Sequence, residues 1–173
     1  MRIIYYAAIS ADGFLSGKSG EVDWLEPFQA AGEDYGYAKF FSSIDGLIMG
    51  RKTYDQILTF GDWPYAGKPV WMLSSGRRST SRQDVTVTSE SPGALAQRLS
   101  AQGHRRVWMV GGTAAATAFE REELLTDYVL TIIPVFLGVG QSLFNASVGS
   151  GQLTMAETRT FPNGVVQVHH KRP

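Results

Sequence analysis

Two glycine-centred corners carry the residues best suited to chemistry. The first is Met49-Gly50-Arg51-Lys52-Thr53-Tyr54, following the apolar Gly46-Leu47-Ile48; the second is Val110-Gly111-Gly112-Thr113, following Val107-Trp108-Met109. A glycine at a strand's end lets the backbone approach a ligand closely. A helix opening directly after it turns unpaired N–H groups and a positive dipole end toward an anion. Arg51, Lys52 and Thr53 add two cations and a hydroxyl, so the first corner reads either as a phosphate site or as a capped surface helix with incidental basic residues. Gly111-Gly112 is costly in backbone entropy, and such pairs serve a close backbone approach or tight helix–sheet packing. Ala114-Ala115-Ala116 suits both uses by keeping the helix start free of bulk. Two such corners together suggest one long ligand with several phosphates lying across both. Ser74-Ser75-Gly76-Arg77-Arg78, at another strand's end, offers hydroxyls and arginines to a phosphomonoester, though alone it reads as an exposed basic loop.

The elements that must position these corners follow from period and punctuation. Residues 2–9 are β-branched and aromatic and predict a buried strand; Ser10-Ala11-Asp12-Gly13 is turn chemistry. Residues 32–43 predict a helix with Gly36 inside it, 45–49 a strand, and 52–58 the helix of the first corner. Strands are expected over 69–73, 84–88, 107–110 and 128–135. Ser91-Pro92 starts a helix that Gly103 stops, and a second helix runs over 113–122. Leu153 to Thr160 and Val165 to His169 flank a Pro162-Asn163-Gly164 turn, a hairpin. Strands alternating with helices imply a largely parallel α/β sheet, and the hairpin implies an antiparallel edge.

Composition narrows the function classes. A length of 173 residues with 43% hydrophobic residues suits one domain with a full core. Sixteen basic residues balance sixteen acidic ones, which argues against a nucleic-acid protein held by bulk charge. Without cysteine there is neither a disulfide nor a thiolate metal site, and His104, His169 and His170 suggest no metal centre. Met1 to Ile9 is too short for a signal peptide, and no apolar run approaches the ~20 residues that span a bilayer. A cytoplasmic location is expected. The Rossmann pattern G-x-G-x-x-G is absent. Trp63, Trp71 and Trp108, in or beside strands, are expected in the core.

Taken in order, several segments resemble the dihydrofolate reductase fold: Ser10 to Phe14, Met49 to Tyr54, Leu73-Ser74-Ser75, Val110-Gly111-Gly112, and Pro134 to Phe144 preceded by Thr126-Asp127. The last run is similar to the branch containing the reductase domain of riboflavin-biosynthesis enzymes and stand-alone bacterial relatives. The resemblance covers the whole chain and implies three layers, with helices on both faces of the sheet, and NADPH as cofactor. It implies that Gly50, Arg51, Lys52 and Thr53 meet the pyrophosphate and adenosine side. Ser74, Ser75 and Arg77 would surround the 2′-phosphate, and Gly111, Gly112, Thr113 and Ala115 would form the second phosphate cradle. Ala8 and Ile9 would lie by the nicotinamide, and Asp23-Trp24 would occupy the mobile loop over the substrate. Counting back from Met49, the family's ring-holding carboxylate falls on Asp34, with Glu33 as the alternative, and its partner threonine on Thr131. The same two acids could instead be an exposed pair in a first helical turn.

Departures from the family pattern are informative. Where folate enzymes carry an arginine for the substrate's tail, this chain has Lys68, a point charge without the planar fork. The His-x-Glu and Pro-Cys-x-x-Cys zinc signature of a deaminase partner is missing, so the resemblance implies a reductase only. Its hydride would go to a pteridine or to a ribosylaminopyrimidine, similar to 5-amino-6-(5-phosphoribosylamino)uracil. The other classes are a dihydrofolate reductase-like enzyme of low folate activity, a non-catalytic nucleotide- or pterin-binding protein, and a structural subunit. The related domains are commonly dimers, and Pro134 to Leu137 is a candidate interface, so a homodimer is expected.

Overall fold

The computed structural model describes residues 1–29, 32–76, 79–145 and 148–173. Its strands are β1 (Arg2–Ser10), β2 (Phe14–Ser16), β3 (Gly46–Gly50), β4 (Val70–Leu73), β5 (Val85–Thr88), β6 (Arg106–Gly111), β7 (Asp127–Ile133), β8 (Gln141–Ser142), β9 (Thr154–Thr160) and β10 (Val166–Lys171). Its helices are α1 (Glu26–Gln29), α2 (Tyr37–Ser43), α3 (Arg51–Ile57), α4 (Pro92–Ala101) and α5 (Thr113–Arg121). One eight-stranded sheet runs β5-β4-β3-β6-β1-β7-β10-β9; the two-residue β8 pairs separately with β2. The first six strands of that order are parallel, and β10 is antiparallel to both β7 and β9.

Burial on both faces explains the continuous apolar strands. Along β3, Leu47 and Met49 pack with α2 and α3, through Phe40, Tyr54 and Ile57. Ile48 points the other way, into the cluster of Leu95 and Leu99 of α4 and Ala116 and Phe119 of α5. Trp71 and Trp108 are buried on opposite faces, as core residues. The expected α/β architecture, with helices on both faces and an antiparallel hairpin, is the one observed. Ser91 caps α4, accepting from the Ala94 N–H at 3.3 Å, with Pro92 in the first turn.

One expected helix is shorter than its composition suggests. Residues 32–36 are not helical; α2 begins only at Tyr37, because Gly36 sits at φ +80° as its N-cap. A left-handed residue cannot continue a right-handed helix. The short α1 and the turn Asp23–Leu25 before it were not expected as helices, and neither was the β2–β8 pair.

Strand order fixes where a ligand can lie. From β3 the chain moves outward to β4 and β5, then returns to place β6 on β3's other side. The connections after β3 and β6 therefore part, and a crevice opens at the carboxyl ends of these strands.

Candidate active site

Both glycine corners flank that crevice. Met49 is the register partner of Gly111, after an irregularity at Ile48. Gly50 leads into α3 on one face and Gly112 into α5 on the other. A Cβ on Gly112 would lie 3.3 Å from the Thr53 Oγ1, and one on Gly50 would lie 3.5 Å from the Ala115 Cβ. Gly111 has φ +131°, a conformation that L side chains rarely adopt, and its bond to Gly112 is cis. A side chain at Gly112 would press on Thr53 and one at Gly111 would strain the backbone, so this wall of the crevice is bare backbone, while a Cβ on Gly50 would make only ordinary contact with Ala115. The Arg51 Nε donates to Asp55 at 2.6 Å, one turn along α3, and Lys52 is exposed. The Thr113 hydroxyl donates to the Ser142 carbonyl at 2.6 Å and so fastens the 134–145 segment beside the second corner. Ser74 and the exposed Ser75 follow the end of β4, next to β3. Arg77 lies outside the described residues.

One strand further along the sheet is a cavity of about 420 Å³. Tyr6 and Ala8 of β1, and Thr131 and Ile133 of β7, form its sheet side; Leu25, Phe28, Gln29, residues 32–35 and Tyr37 form the rest of its wall. Ala8 and Thr131 are direct register partners. The structure therefore gathers Asp34, Glu33, Thr131 and Ala8 around one space, although they are far apart in sequence. Ile9, the next residue of β1, is buried.

The expected bond between Asp34 and Thr131 is absent. The Asp34 Oδ1 accepts from the Gly36 N–H at 2.8 Å and its Oδ2 from the Ala38 N–H at 3.0 Å. Asp34 is exposed and caps α2 from the turn before it, and the Ala38 and Gly36 N–H groups hold its carboxyl below the usual aspartate range. The Glu33 Oε1 accepts from the Tyr35 N–H at 3.1 Å. Thr131, buried, accepts instead from the Gln167 Nε2 at 2.9 Å.

Two substrate-side expectations also change. The Lys68 Nζ donates to the Ile44 carbonyl at 2.5 Å and stands over the Phe41 ring, tying down the end of α2; it does not line the cavity. Nor does Trp24, which is half-buried with no hydrogen-bond partner for its buried indole N–H; its neighbour Leu25 takes the place on the wall.

Three residues important to the cavity were not foreseen. The Tyr6 hydroxyl lies 3.4 Å from the Gln167 Nε2, and burial, chiefly, raises its pKa and keeps it protonated. The amide of Gln167 also donates to the Tyr35 carbonyl at 3.1 Å. Tyr35 holds φ +52°, donates its hydroxyl to the Phe28 carbonyl at 3.0 Å and accepts from the Asn163 Nδ2 at 2.6 Å. It thereby locks α1 and the hairpin turn together across the cavity. A polar Gln167 between the apolar Val166 and Val168 was the available signal; its partners are more than thirty residues away. Asp12, in the turn after β1, accepts from the Gly138 N–H at 2.8 Å and from the Ser10 hydroxyl at 2.6 Å, joining that turn to the segment after β7. Among the described residues no cluster of His, Asp or Glu could hold a metal ion.

These features define an α/β protein with an open crevice at the carboxyl edge of its mostly parallel sheet. The family model described as RibD C-terminal domain matches residues 1–167, and the chain belongs to that family. It is 30% identical over 172 residues to the uncharacterized protein YwjB of Bacillus subtilis, covering 99% of this chain and 98% of that one. Against YyaP of the same organism it is 32% identical over 180 residues, covering 96% and 93%. A solved structure of a Shewanella sp. PV-4 protein named for riboflavin biosynthesis superposes with TM-score 0.90 at 29% identity, covering 100% of this chain and 99% of that one. The Thermotoga maritima diaminohydroxyphosphoribosylaminopyrimidine deaminase/5-amino-6-(5-phosphoribosylamino)uracil reductase shares the fold at TM-score 0.72 and 12% identity; the match covers 99% of this chain and 56% of that one.

Proposed function

We propose that this chain is a single-domain, NADPH-dependent reductase that delivers hydride to a C=N group, or to a ribose imine formed by ring opening, of a pteridine or ribosylaminopyrimidine. The observation that carries this reading is adjacency. The glycine crevice opens between β3 and β6, and the aromatic cavity sits over β1 and β7, the next strands in the sheet. A long phosphate-bearing donor and a flat acceptor would meet near Ala8.

The crevice fits the cofactor, since a Cβ at Gly112 would crowd Thr53 and narrow the cradle. Gly50, Arg51, Lys52 and Thr53 would hold one phosphate end, and Gly111, Gly112, Thr113 and Ala115 the other. Ser74, Ser75 and Arg77 would take the 2′-phosphate, with Ala8 and Ile9 at the nicotinamide. The bound cofactor supplies hydride. The chain's own part is to align donor and acceptor and to keep water out. Arg51 is free to turn to a phosphate because its exposed pair with Asp55 is weak. Thr131, Tyr6 and Gln167 orient the acceptor from the cavity floor, while Glu33 and Asp34 face its N–H edge from the mouth.

Nicotinamide fluorescence on titration with NADPH tests the cofactor half. Saturable binding is expected, and none at millimolar cofactor overturns the reading. The capping role of Asp34 favours one other reading, a pterin-like binder without chemistry, which cofactor binding without oxidation of NADPH by any pteridine would support. A homodimer and a cytoplasmic location complete the proposal. β9 is exposed along nearly its whole length, with Met155 54% exposed, and offers an edge for a second copy. Among the described residues no helix is long and apolar enough to cross a membrane. Light scattering of the purified chain tests the dimer.

A further inference from the structure

The lining of the cavity carries a charge pattern that bears on the acceptor. Its ionic side chains are two carboxylates, Glu33 and Asp34, and no lysine, arginine or histidine lines it among the described residues. Residues 30 and 31, between Gln29 and Gly32, are alanines and bring no charge. Arg159 stands behind Gly36, where a Cβ would come within 3.1 Å of its Nη1, and its Nε donates to the Glu157 Oε1 at 2.6 Å in an exposed pair; it does not line the cavity. Lys68 is turned away to the Ile44 carbonyl.

The rest of the lining points the same way. The rings of Tyr6, Phe28, Tyr35 and Tyr37 form walls suited to a flat ring. The floor, Thr131 bonded to Gln167, is neutral and pairs with uncharged donors and acceptors. Backbone N–H groups satisfy both Asp34 oxygens and keep that carboxylate ionised at the mouth. A phosphate ester calls for the opposite: cations, preferably an arginine fork. Brought to this mouth, a dianion meets like charge.

We propose that the cavity selects a planar nitrogen heterocycle that is neutral or cationic, and discriminates against the same ring carrying a phosphate ester. This rests on the reductase reading for the reaction, and it sets the chain apart from the phosphoribosyl substrate in the Thermotoga enzyme's name.

The test uses neopterin and its 3′-monophosphate, which share a fluorescent pterin ring and differ in one phosphate. Each is titrated with the 173-residue chain at about 0.1 M salt. Neopterin is expected to bind saturably and its phosphate about tenfold more weakly. Glu33→Lys is expected to close most of that gap, and Asp34→Asn, which keeps a capping oxygen, to narrow it. Failure of neopterin to bind, phosphate binding equal or tighter, or a gap unmoved in both variants overturns the proposal. NADPH binding is read in the same samples by nicotinamide fluorescence. Cofactor binding with the phosphate preferred overturns the selectivity alone. Selectivity without cofactor binding overturns the reductase reading alone.

Discussion

At the residue scale, the crevice depends on the absence of side chains and the cavity on neutral hydrogen bonds. Gly112 lies against Thr53, so Gly112→Val is expected to obstruct the crevice and weaken NADPH binding by roughly a hundredfold, as one overpacked contact does. Arg51→Ala removes one exposed cation and is expected to cost only about tenfold. Fluorescence titration of both variants measures the difference. On the acceptor side, Glu33→Gln with Asp34→Asn removes both charges at the mouth. The double variant is expected to lower kcat/KM about tenfold while leaving NADPH affinity unchanged, which steady-state kinetics with a pteridine acceptor separates from cofactor loss. Retained turnover would remove the two acids from the reaction and leave the reductase reading in place.

At the element scale, the wall of the cavity is set by how α2 begins. Gly36 holds φ +80° at its N-cap, and Asp34 accepts from the N–H of Gly36 itself and from that of Ala38 in the first turn. This explains why a helical pattern over 32–43 starts only at Tyr37. The residues before it are freed to turn Glu33, Asp34 and Tyr35 toward β1 and β7. Gly36→Ala places a Cβ in a left-handed conformation and 3.1 Å from the Arg159 guanidinium, so a loss of about 1 kcal/mol is expected in urea denaturation. Cavity and stability are coupled here, because Tyr35, also at positive φ, joins Phe28 to Asn163. Short elements of this sort give little periodic signal, and α1, with four residues, gave none.

At the scale of the whole molecule, strand order brings distant segments to one edge, and a buried ion cluster fastens the other. Asp127 is 1% exposed and is bonded by the Arg2 guanidinium, the His169 Nε2 at 2.8 Å and the Thr126 hydroxyl at 2.7 Å. Burial works to raise its pKa, but Arg2, His169 and Thr126 together hold it at about 2. An unfolded aspartate titrates near 3.8, so this cluster contributes fully above about pH 4 and is lost as pH falls toward 2. Its contribution at neutral pH is about 2 kcal/mol. The urea midpoint of the wild type is expected to fall steeply through that window, and Asp127→Asn to flatten the fall while lowering the midpoint at pH 7. The sequence by itself determined the α/β alternation, the two glycine corners, the capped start of α4 and the final hairpin, because strand and helix periods and turn chemistry are local. Through the order of motifs in a resembling family it also offered Asp34 and Thr131 as a pair, and both line the cavity although they are not bonded. Only the tertiary structure decided that Lys68 anchors Ile44 and that Gln167 takes the place beside Thr131. These two pairings join residues 24 and 36 positions apart, and Gln167 also meets Tyr6 across 161, so no neighbour in the chain announces them.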